Sequence, residues 1–209
     1  MKNLKITSLL SIMFCAGLLF MLVCSCAAIG TASAESLVNV AQGKNATQSS
    51  DGWGGIASSA VDGNTDGNFW AGSVSHTNYD SFGPWLQVDL GESYSIDHIS
   101  IWNRTDGSTD RLKNFYVFVS NNPFSTNSFA DLAGRSDVFT YYHQGTIGTT
   151  LDIPVNCSGR YVRVQIDHQE WLHLAEVQVW SSGTPSGEGG GGESFPILSA
   201  IPSYFELFQ

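Results

Sequence analysis

The sequence predicts an all-β fold, namely a single-domain antiparallel β-sandwich of the jelly-roll type. Three observations support this class: short runs in which apolar and polar residues alternate, Gly, Asn and Ser between those runs, and little helical patterning. Alternation with a period of two indicates strands that bury one side and expose the other, which is typical of antiparallel sheets.

Five segments carry the strand pattern, and each has apolar side chains at every second position. In chain order they are residues 85–91, 99–101, 115–119, 160–166 and 173–180. The exception to this pattern is the segment of residues 128–133, which predicts one helical turn.

The first 34 residues are predicted to be a secretory signal peptide. Lys2 and Lys5 form a basic start, residues 9–23 are apolar, and small residues precede a cleavage site after Ala34. The residues before Cys26 also resemble a lipobox, so a lipoprotein anchored there is the alternative to a secreted, extracellular protein. No later segment is long and apolar enough to be predicted to insert into a membrane.

Charge and cysteine content restrict the partners and the means of stabilisation. The net charge is −10, and without Lys2 and Lys5 seven basic residues face 19 acidic ones, which gives −12. This charge argues against nucleic acid and anionic lipid as partners. After the signal Cys157 is the one remaining cysteine, so the sequence predicts no internal disulfide and a buried, apolar role for that thiol.

The composition changes after Trp180, where Gly and Ser become frequent. A flexible linker is predicted, with four consecutive glycines at residues 189–192. The predicted organisation is a signal at 1–34, a sandwich domain at 35–182, a linker at 183–194 and an apolar tail at 195–209. The tail is too short for a domain, and it is either a docking segment or the start of a second domain.

One set of polar residues is the strongest candidate for a binding site. His76 follows a short Gly-Ser-Val run, and Arg104-Thr105-Asp106 is separated from Arg111 by four residues. Two arginines and a histidine that converge form a cluster of hydrogen-bond donors, which suits a neutral ligand rich in lone pairs, such as a sugar. The alternative is a surface ion-pair loop of Arg104, Asp106 and Arg111, with His76 unrelated to it.

Several segments together resemble the F-type lectins, the fucolectin family, within the discoidin-like and coagulation factor C-domain-like group of β-sandwiches. They are NVAQGK at 39–44, ATQSS at 46–50, AVDGN at 60–64, WLQVDLG at 85–91 and LAEV at 174–177. These segments also occur, more loosely, across the wider group and therefore specify the fold. The histidine with two arginines narrows the resemblance to fucolectins.

The resemblance implies a lectin domain, and not an enzyme, that recognises terminal L-fucose on fucosylated glycans. Arg104 and Arg111 would donate to the 4-hydroxyl and the ring oxygen, and His76 to the 3-hydroxyl. Asp106 would hold the loop or an arginine in place. An apolar patch is expected to receive the 6-methyl group, and the candidates nearest in sequence are Phe69, Trp70 and Trp53. Core packing is the alternative for the first two of these aromatic residues.

The sequence departs from many fucolectins at two disulfides. Gly107 and Ser108 occupy the positions of a vicinal cysteine pair that lies between the two arginines in those relatives. Val74 and Ala175 occupy both ends of a second family disulfide, so no orphan thiol is left and the fold is expected to persist. The sugar loses one stacking surface, which is expected to affect affinity more than specificity.

The resemblance also implies a structural calcium ion. Residues 62–67 look like the start of an EF-hand loop, but the twelfth position is Ser73 rather than Glu, which argues against an EF-hand. All-oxygen ligation suits calcium, and a glutamate at an apolar strand end needs a partner. The alternative is an Asx-rich turn without an ion. The implied ligands are the side chains of Asp62, Asn64, Ser73 and Glu176 and the main-chain oxygens of Ser59 and Ala175.

Three other classes of function compete with a free lectin. The domain could be the targeting module of a larger extracellular glycoside hydrolase whose catalytic part follows the linker, or it could assemble as an oligomer. It could also be a discoidin-like adhesion domain, which would need exposed apolar loop tips or basic residues. An independent enzyme is disfavoured, because the sequence has no paired-carboxylate, Ser-His-Asp or zinc motif.

Overall fold

The computed structural model describes residues 36–79 and 82–186, and these residues form the predicted antiparallel β-sandwich. The strands in this part of the chain are β1 (Val38–Asn39), β2 (Asn45–Gln48), β3 (Ser75–His76), β4 (Trp85–Trp102), β5 (Lys113–Ser120), β6 (Val138–Thr146), β7 (Thr150–Ile166), β8 (His173–Leu174) and β9 (Glu176–Pro185). Within residues 36–79 and 82–186, helical structure is confined to the 3₁₀ turns Ala57–Val61, Phe69–Ala71 and Thr109–Arg111 and to helix α1 (Phe129–Ala133).

Two long strands connect the layers of the sandwich. The main sheet has the order β1-β9-β4-β7-β5-β6, with β2 also paired to β4, and β3 pairs with β8 in a separate two-stranded sheet. The pairing of β4 with β7 shifts register after Asp89 and again after Ile96. Such bulges bend a strand, so β4 pairs with β2 near its start and with β9 in its second half.

Alternate residues of the strands fill the core. Its largest fully buried side chains include Phe115, Phe139, Leu86, Ile99 and Ile153. Each such side chain stabilises the fold by about 1.5–3 kcal/mol relative to an exposed position, so the core carries most of the stability. Cys157 packs at the edge of this core and is half-buried, and burial raises the pKa of its thiol to about 12.

An apolar pair stands where the resemblance placed the ends of a family disulfide. Ser75 pairs with Leu174 in the β3–β8 ladder, which sets Val74 opposite Ala175. Val74 is 1% exposed and Ala175 is fully buried. Two buried apolar side chains therefore occupy the facing positions of these two segments.

The strand predictions were right in type but incomplete in extent. Residues 85–91 and 99–101 are the two ends of β4, and residues 173–180 form β8 and part of β9, with Ala175 between them. β1, β2, β3, β6, the middle of β4 and the first half of β7 were not predicted. In β7 the proline at position 154 argues against a strand, but it pairs with His98 directly after a register shift, where proline is tolerated.

The structure also bears on the predicted helical turn and on the predicted start of the linker. Helix α1 forms where the turn was predicted, and the Ser128 hydroxyl caps it by accepting from the Asp131 N–H at 3.2 Å. β9 continues to Pro185, which pairs with Tyr94, so residues 183–185 belong to the sandwich and not to the linker. The signal, residues 187–194 of the linker and the tail lie outside the described residues. In the described part of the chain, no helix has the length and apolar character needed to cross a membrane.

Candidate functional site

Strand pairing places His76 beside a second histidine. His76 on β3 is opposite His173 on β8, and their ring centroids are 4.2 Å apart. The two residues are 4% and 2% exposed. Burial, followed by nearby positive charge, lowers the pKa of His76 below its usual value and that of His173 to about 3. Both imidazoles are therefore neutral near pH 7.

The hydrogen-bond partner of each histidine fixes its tautomer. Nδ1 of His76 lies 2.6 Å from the carbonyl oxygen of Thr77, which can only accept, so the proton of neutral His76 is on Nδ1. Nε2 of His173 lies 3.3 Å from Nη1 of Arg111, which can only donate, so this Nε2 carries no proton. Nε2 of neutral His76 is consequently an acceptor. The expectation that His76 donates to a sugar hydroxyl is reversed by its Thr77 contact.

Arg104 is held by a carboxylate and an aromatic ring. Its Nε and Nη2 donate to the two carboxylate oxygens of Asp106 at 2.6 and 3.1 Å, and this pairing holds the pKa of Asp106 below its usual value. The guanidinium carbon lies 4.7 Å from the ring centroid of Phe69. Phe69 also contacts the ring of His76 at 5.4 Å, and it therefore links Arg104 to His76.

Arg111 contacts three side chains that the sequence analysis did not propose as site residues. Its Nε lies 3.7 Å from Oε1 of Glu170, its guanidinium carbon lies 4.1 Å from the ring centroid of Trp171, and its Nη1 reaches His173. The sequence signal for these residues is weak. It consists of a histidine at an inward position of an otherwise apolar strand, directly before the Leu-Ala-Glu-Val motif.

The loop between the two arginines is closed without a disulfide. The buried Asn103 donates from Nδ2 to the carbonyl oxygen of Thr109 at 2.9 Å. Ser108 has a φ of 53°, a left-handed conformation that turns the chain before Arg111. Both arginines lie near enough to His76 and His173 for their charges to lower the pKa of each histidine.

The candidate aromatic residues differ in exposure. Trp53 and Trp70 are 77% and 80% exposed, so Trp70 does not pack in the core, whereas Phe69 is half-buried. Trp70 makes an edge contact with Phe69 at 5.4 Å. Trp53 lies in a turn that is hydrogen-bonded to the backbone of His76 on both sides, through Gly52 and Gly55. A Cβ on Gly55 would lie 2.7 Å from that of His76, so this close approach requires glycine.

The residues implied for calcium come together at the start of β9. The hydroxyl of Ser73 donates to Oδ2 of Asp62 at 2.9 Å and lies 3.3 Å from the carbonyl oxygen of Asn64. The Gly63 N–H donates to Oε1 of Glu176 at 3.0 Å. Ser59 lies in the 3₁₀ turn that ends beside Asp62, and Ala175 directly precedes Glu176.

Glu176 gives the test of whether these residues fit a cation. Its side chain is fully buried and its Oε2 has no hydrogen-bond partner. Burial, together with the charge of Asp62, raises the pKa of Glu176 to about 7. Within residues 36–79 and 82–186 no group of three or more His, Cys, Asp or Glu could hold a metal. The set therefore fits a hard cation only through its Asn, Ser and main-chain oxygens together with two carboxylates.

The arrangement of these groups defines a class of protein. Two fixed arginine donors, a neutral histidine acceptor and exposed aromatic rings form a site that matches the hydroxyl groups and apolar faces of a sugar. On an antiparallel β-sandwich they define a carbohydrate-binding domain.

Comparison with known proteins supports this class. The family model of the NedA-like, galactose-binding domain matches residues 59–164. Fucolectin-6 of Anguilla japonica is 34% identical over 128 residues, which cover 59% of this chain and 62% of that protein. Fucolectin-3 of Anguilla japonica is 33% identical over 154 residues, which cover 68% of this chain and 78% of that protein.

A solved structure gives the same result. A fucose binding module from Streptococcus pneumoniae matches with a TM-score of 0.60 and 34% identity, over 69% of this chain and 95% of that module. The chain belongs to the fucolectin family of lectins, and about half of it matches the model of the NedA-like, galactose-binding domain. The family consists of binding proteins, so the sequence prediction of a lectin domain rather than an enzyme is confirmed.

Proposed function

We propose that this domain binds terminal L-fucose on glycans through Arg104, Arg111 and His76. The observation that carries the proposal is that two restrained arginines flank one pair of packed, neutral histidines, His76 and His173. Arg104 is held by Asp106 and reaches His76 through the ring of Phe69, and Arg111 is hydrogen-bonded to His173. The names of the relatives, which include fucolectins and a fucose binding module, supply the identity of the sugar.

The polarity of the site explains how a sugar is recognised. A hydroxyl group can accept from an arginine and donate to Nε2 of His76 at the same time. Arg104 and Arg111 donate to the 4-hydroxyl and the ring oxygen, and the 3-hydroxyl donates to His76. Hydrogen bonds to charged donors contribute about 1.5–3 kcal/mol each, so the two arginines supply most of the polar binding energy.

The aromatic rings supply an apolar surface for the 6-methyl group of fucose. Phe69 lies between Arg104 and His76, and the exposed ring of Trp70 continues this surface. The exposed Trp53 belongs to a turn that precedes His76 in the chain, and the glycines of this turn are hydrogen-bonded to the backbone of His76. Burial of a methyl group contributes about 0.8 kcal/mol, which favours fucose over a sugar that lacks it.

We further propose a structural Ca²⁺ beside the sugar site. The ion would neutralise the two carboxylates and connect the start of β9 to the loop that carries Phe69 and Trp70. The partnerless buried oxygen of Glu176 supports this role. The ligands would be the side chains of Asp62, Asn64, Ser73 and Glu176 and the main-chain oxygens of Ser59 and Ala175.

The remaining parts of the proposal concern the whole chain. A signal at residues 1–34 would secrete the lectin, and a lipoprotein anchored at Cys26 is the alternative destination. The linker that follows Pro185 would attach the domain to a further copy or to a catalytic partner.

The test of fucose binding compares two arginine variants with a matched control. Arg104→Ala and Arg111→Ala are expected to abolish retention on L-fucose beads while the melting temperature stays close to that of the wild type. Arg135 forms the same type of Arg-x-Asp pair, with Asp137, but outside the site. Arg135→Ala should therefore bind normally. If both site variants bind as the wild type does, the proposed pocket is wrong.

A further inference from the structure

Arg111 lacks the type of restraint that holds Arg104. Arg104 forms two hydrogen bonds with one carboxylate, whereas the Nε of Arg111 lies 3.7 Å from Glu170, too far for a hydrogen bond. Arginine has a long side chain with many rotamers, and freezing such a side chain opposes binding. A site that binds its sugar well therefore needs another restraint that fixes Arg111 before the sugar binds.

Trp171 and His173 together define the position of the guanidinium group. The ring of Trp171 lies 4.1 Å from the guanidinium carbon, and Tyr79 packs against the same indole at 4.4 Å. Stacking restrains the guanidinium plane but leaves it free to rotate within that plane. The hydrogen bond from Nη1 to Nε2 of His173 restrains this rotation.

His173 is itself fixed by its surroundings. It is 2% exposed and belongs to β8, whose neighbour Leu172 exchanges two hydrogen bonds with Thr77, at 2.9 and 3.1 Å. Its ring packs on His76 and its Nε2 accepts from Arg111. One buried side chain thus contacts two of the three residues that are proposed to bind the sugar.

We infer that His173 is a positioning residue for sugar binding, which orients Arg111 and supports His76 without touching the sugar. The inference rests on the proposed function of the site. Its chemical requirement is an acceptor at Nε2, because the guanidinium group offers only N–H donors. A side chain that keeps an acceptor at this place should retain affinity, and one that only fills the space should not.

Two substitutions separate the acceptor from the volume. His173→Gln can place a carbonyl oxygen near the position of Nε2, whereas His173→Leu is similar in size and has no acceptor. His143 is a half-buried histidine of β6 that packs on the core residue Phe115 and belongs to neither the β3–β8 pair nor the proposed sugar contacts, and His143→Leu serves as the control. Calorimetric titration with L-fucose should give about a tenfold loss of affinity for His173→Leu, which corresponds to one immobilised side chain. The losses for His173→Gln and for the control should stay within about threefold.

Nuclear magnetic resonance of the wild-type protein tests the same inference without a variant and without a sugar. The ¹⁵N shift of His173 should report an unprotonated Nε2, and the Nη groups of Arg111 should show slow rotation. His173→Leu, if folded, should speed that rotation.

The possible results are distinct. A protonated Nε2 of His173 would overturn the inference, as would unchanged fucose affinity in a folded His173→Leu protein. An equal loss in the Gln and Leu variants would also overturn it. If the wild type shows the expected resonances but does not bind fucose, the proposed function fails while the contact between His173 and Arg111 stands.

Discussion

Replacing Glu176 by Gln tests the calcium site through its electrostatic cost. The carboxyl has a pKa of about 7 in the folded domain against a reference value of 4.5, because it is buried and lies near Asp62. A raised carboxyl pKa means that the folded state favours the protonated form. In the absence of a metal, the domain therefore loses stability as the pH rises from about 4.5 through about 7.

The size of this effect follows from the shift. Each pKa unit corresponds to about 1.36 kcal/mol, so ionising Glu176 at pH 8 destabilises the metal-free domain by about 3 kcal/mol. Gln is close to Glu in shape, accepts the Gly63 N–H in the same way and carries no charge. For a domain of this size, about 3 kcal/mol changes the melting temperature by roughly 6–12 °C.

The assay is thermal unfolding of wild type and Glu176→Gln at pH 5 and pH 8, in excess chelator and in excess Ca²⁺. In chelator at pH 8 the variant should melt at the higher temperature, and at pH 5 most of that difference should disappear. With Ca²⁺ the order should invert, because only the wild type keeps the anionic ligand and gains stability from the bound ion. Glu92→Gln, at an exposed position of β4, is the control and should follow the wild type. Equal melting of Glu176→Gln and wild type in chelator at pH 8 would refute the reasoning.

Three further outcomes are expected. Chelation should lower the melting temperature of the wild type by several degrees, and Asp62→Ala should have the lower melting temperature even with Ca²⁺ present. A wild-type melting temperature that chelator does not change would argue against the metal. At saturating Ca²⁺, fucose binding should change little as the pH falls to 6.5 and should be lost only at lower pH, as the pH passes through the lowered pKa of His76. The reason is that protonated Nε2 can no longer accept a hydrogen bond, and a loss of binding centred at or above pH 6.5 would contradict this. A single domain should bind free fucose weakly in calorimetric titration, and strong attachment to a fucose-coated surface should require several linked copies of the domain. Tight one-to-one binding in solution would contradict the dependence on avidity.

The fold was largely readable from the sequence because the strands are amphipathic. Residues such as Val88 and Val164 alternate with polar neighbours, and both are buried. The lengths of the strands were harder to predict from the sequence. Bulges in β4 and a proline in β7 interrupt the local pattern, whereas the pairing between strands continues through them.

Only part of the candidate site could be predicted from the sequence, for a related reason. Arg104, Asp106 and Arg111 lie close together in the chain, so their spacing is a local signal. His173 reaches Arg111 only because β8 pairs with β3, and local spacing does not encode that register. The tautomer of His76 depends on the direction of one carbonyl group, that of Thr77, which a residue sequence does not specify.

The burial of Val74 and Ala175 at facing positions has a consequence for the environments in which this lectin can work. With buried apolar residues at these two positions, the described part of the chain has no disulfide, so its folding needs no oxidant and it offers no bond for a reductant to break. Cys157, the one cysteine among the described residues, has a thiol pKa of about 12 and so contributes almost no reactive thiolate at neutral pH. The domain should therefore keep its shape in both reducing and oxidising surroundings, and the redox state of the medium should not control its binding of glycans.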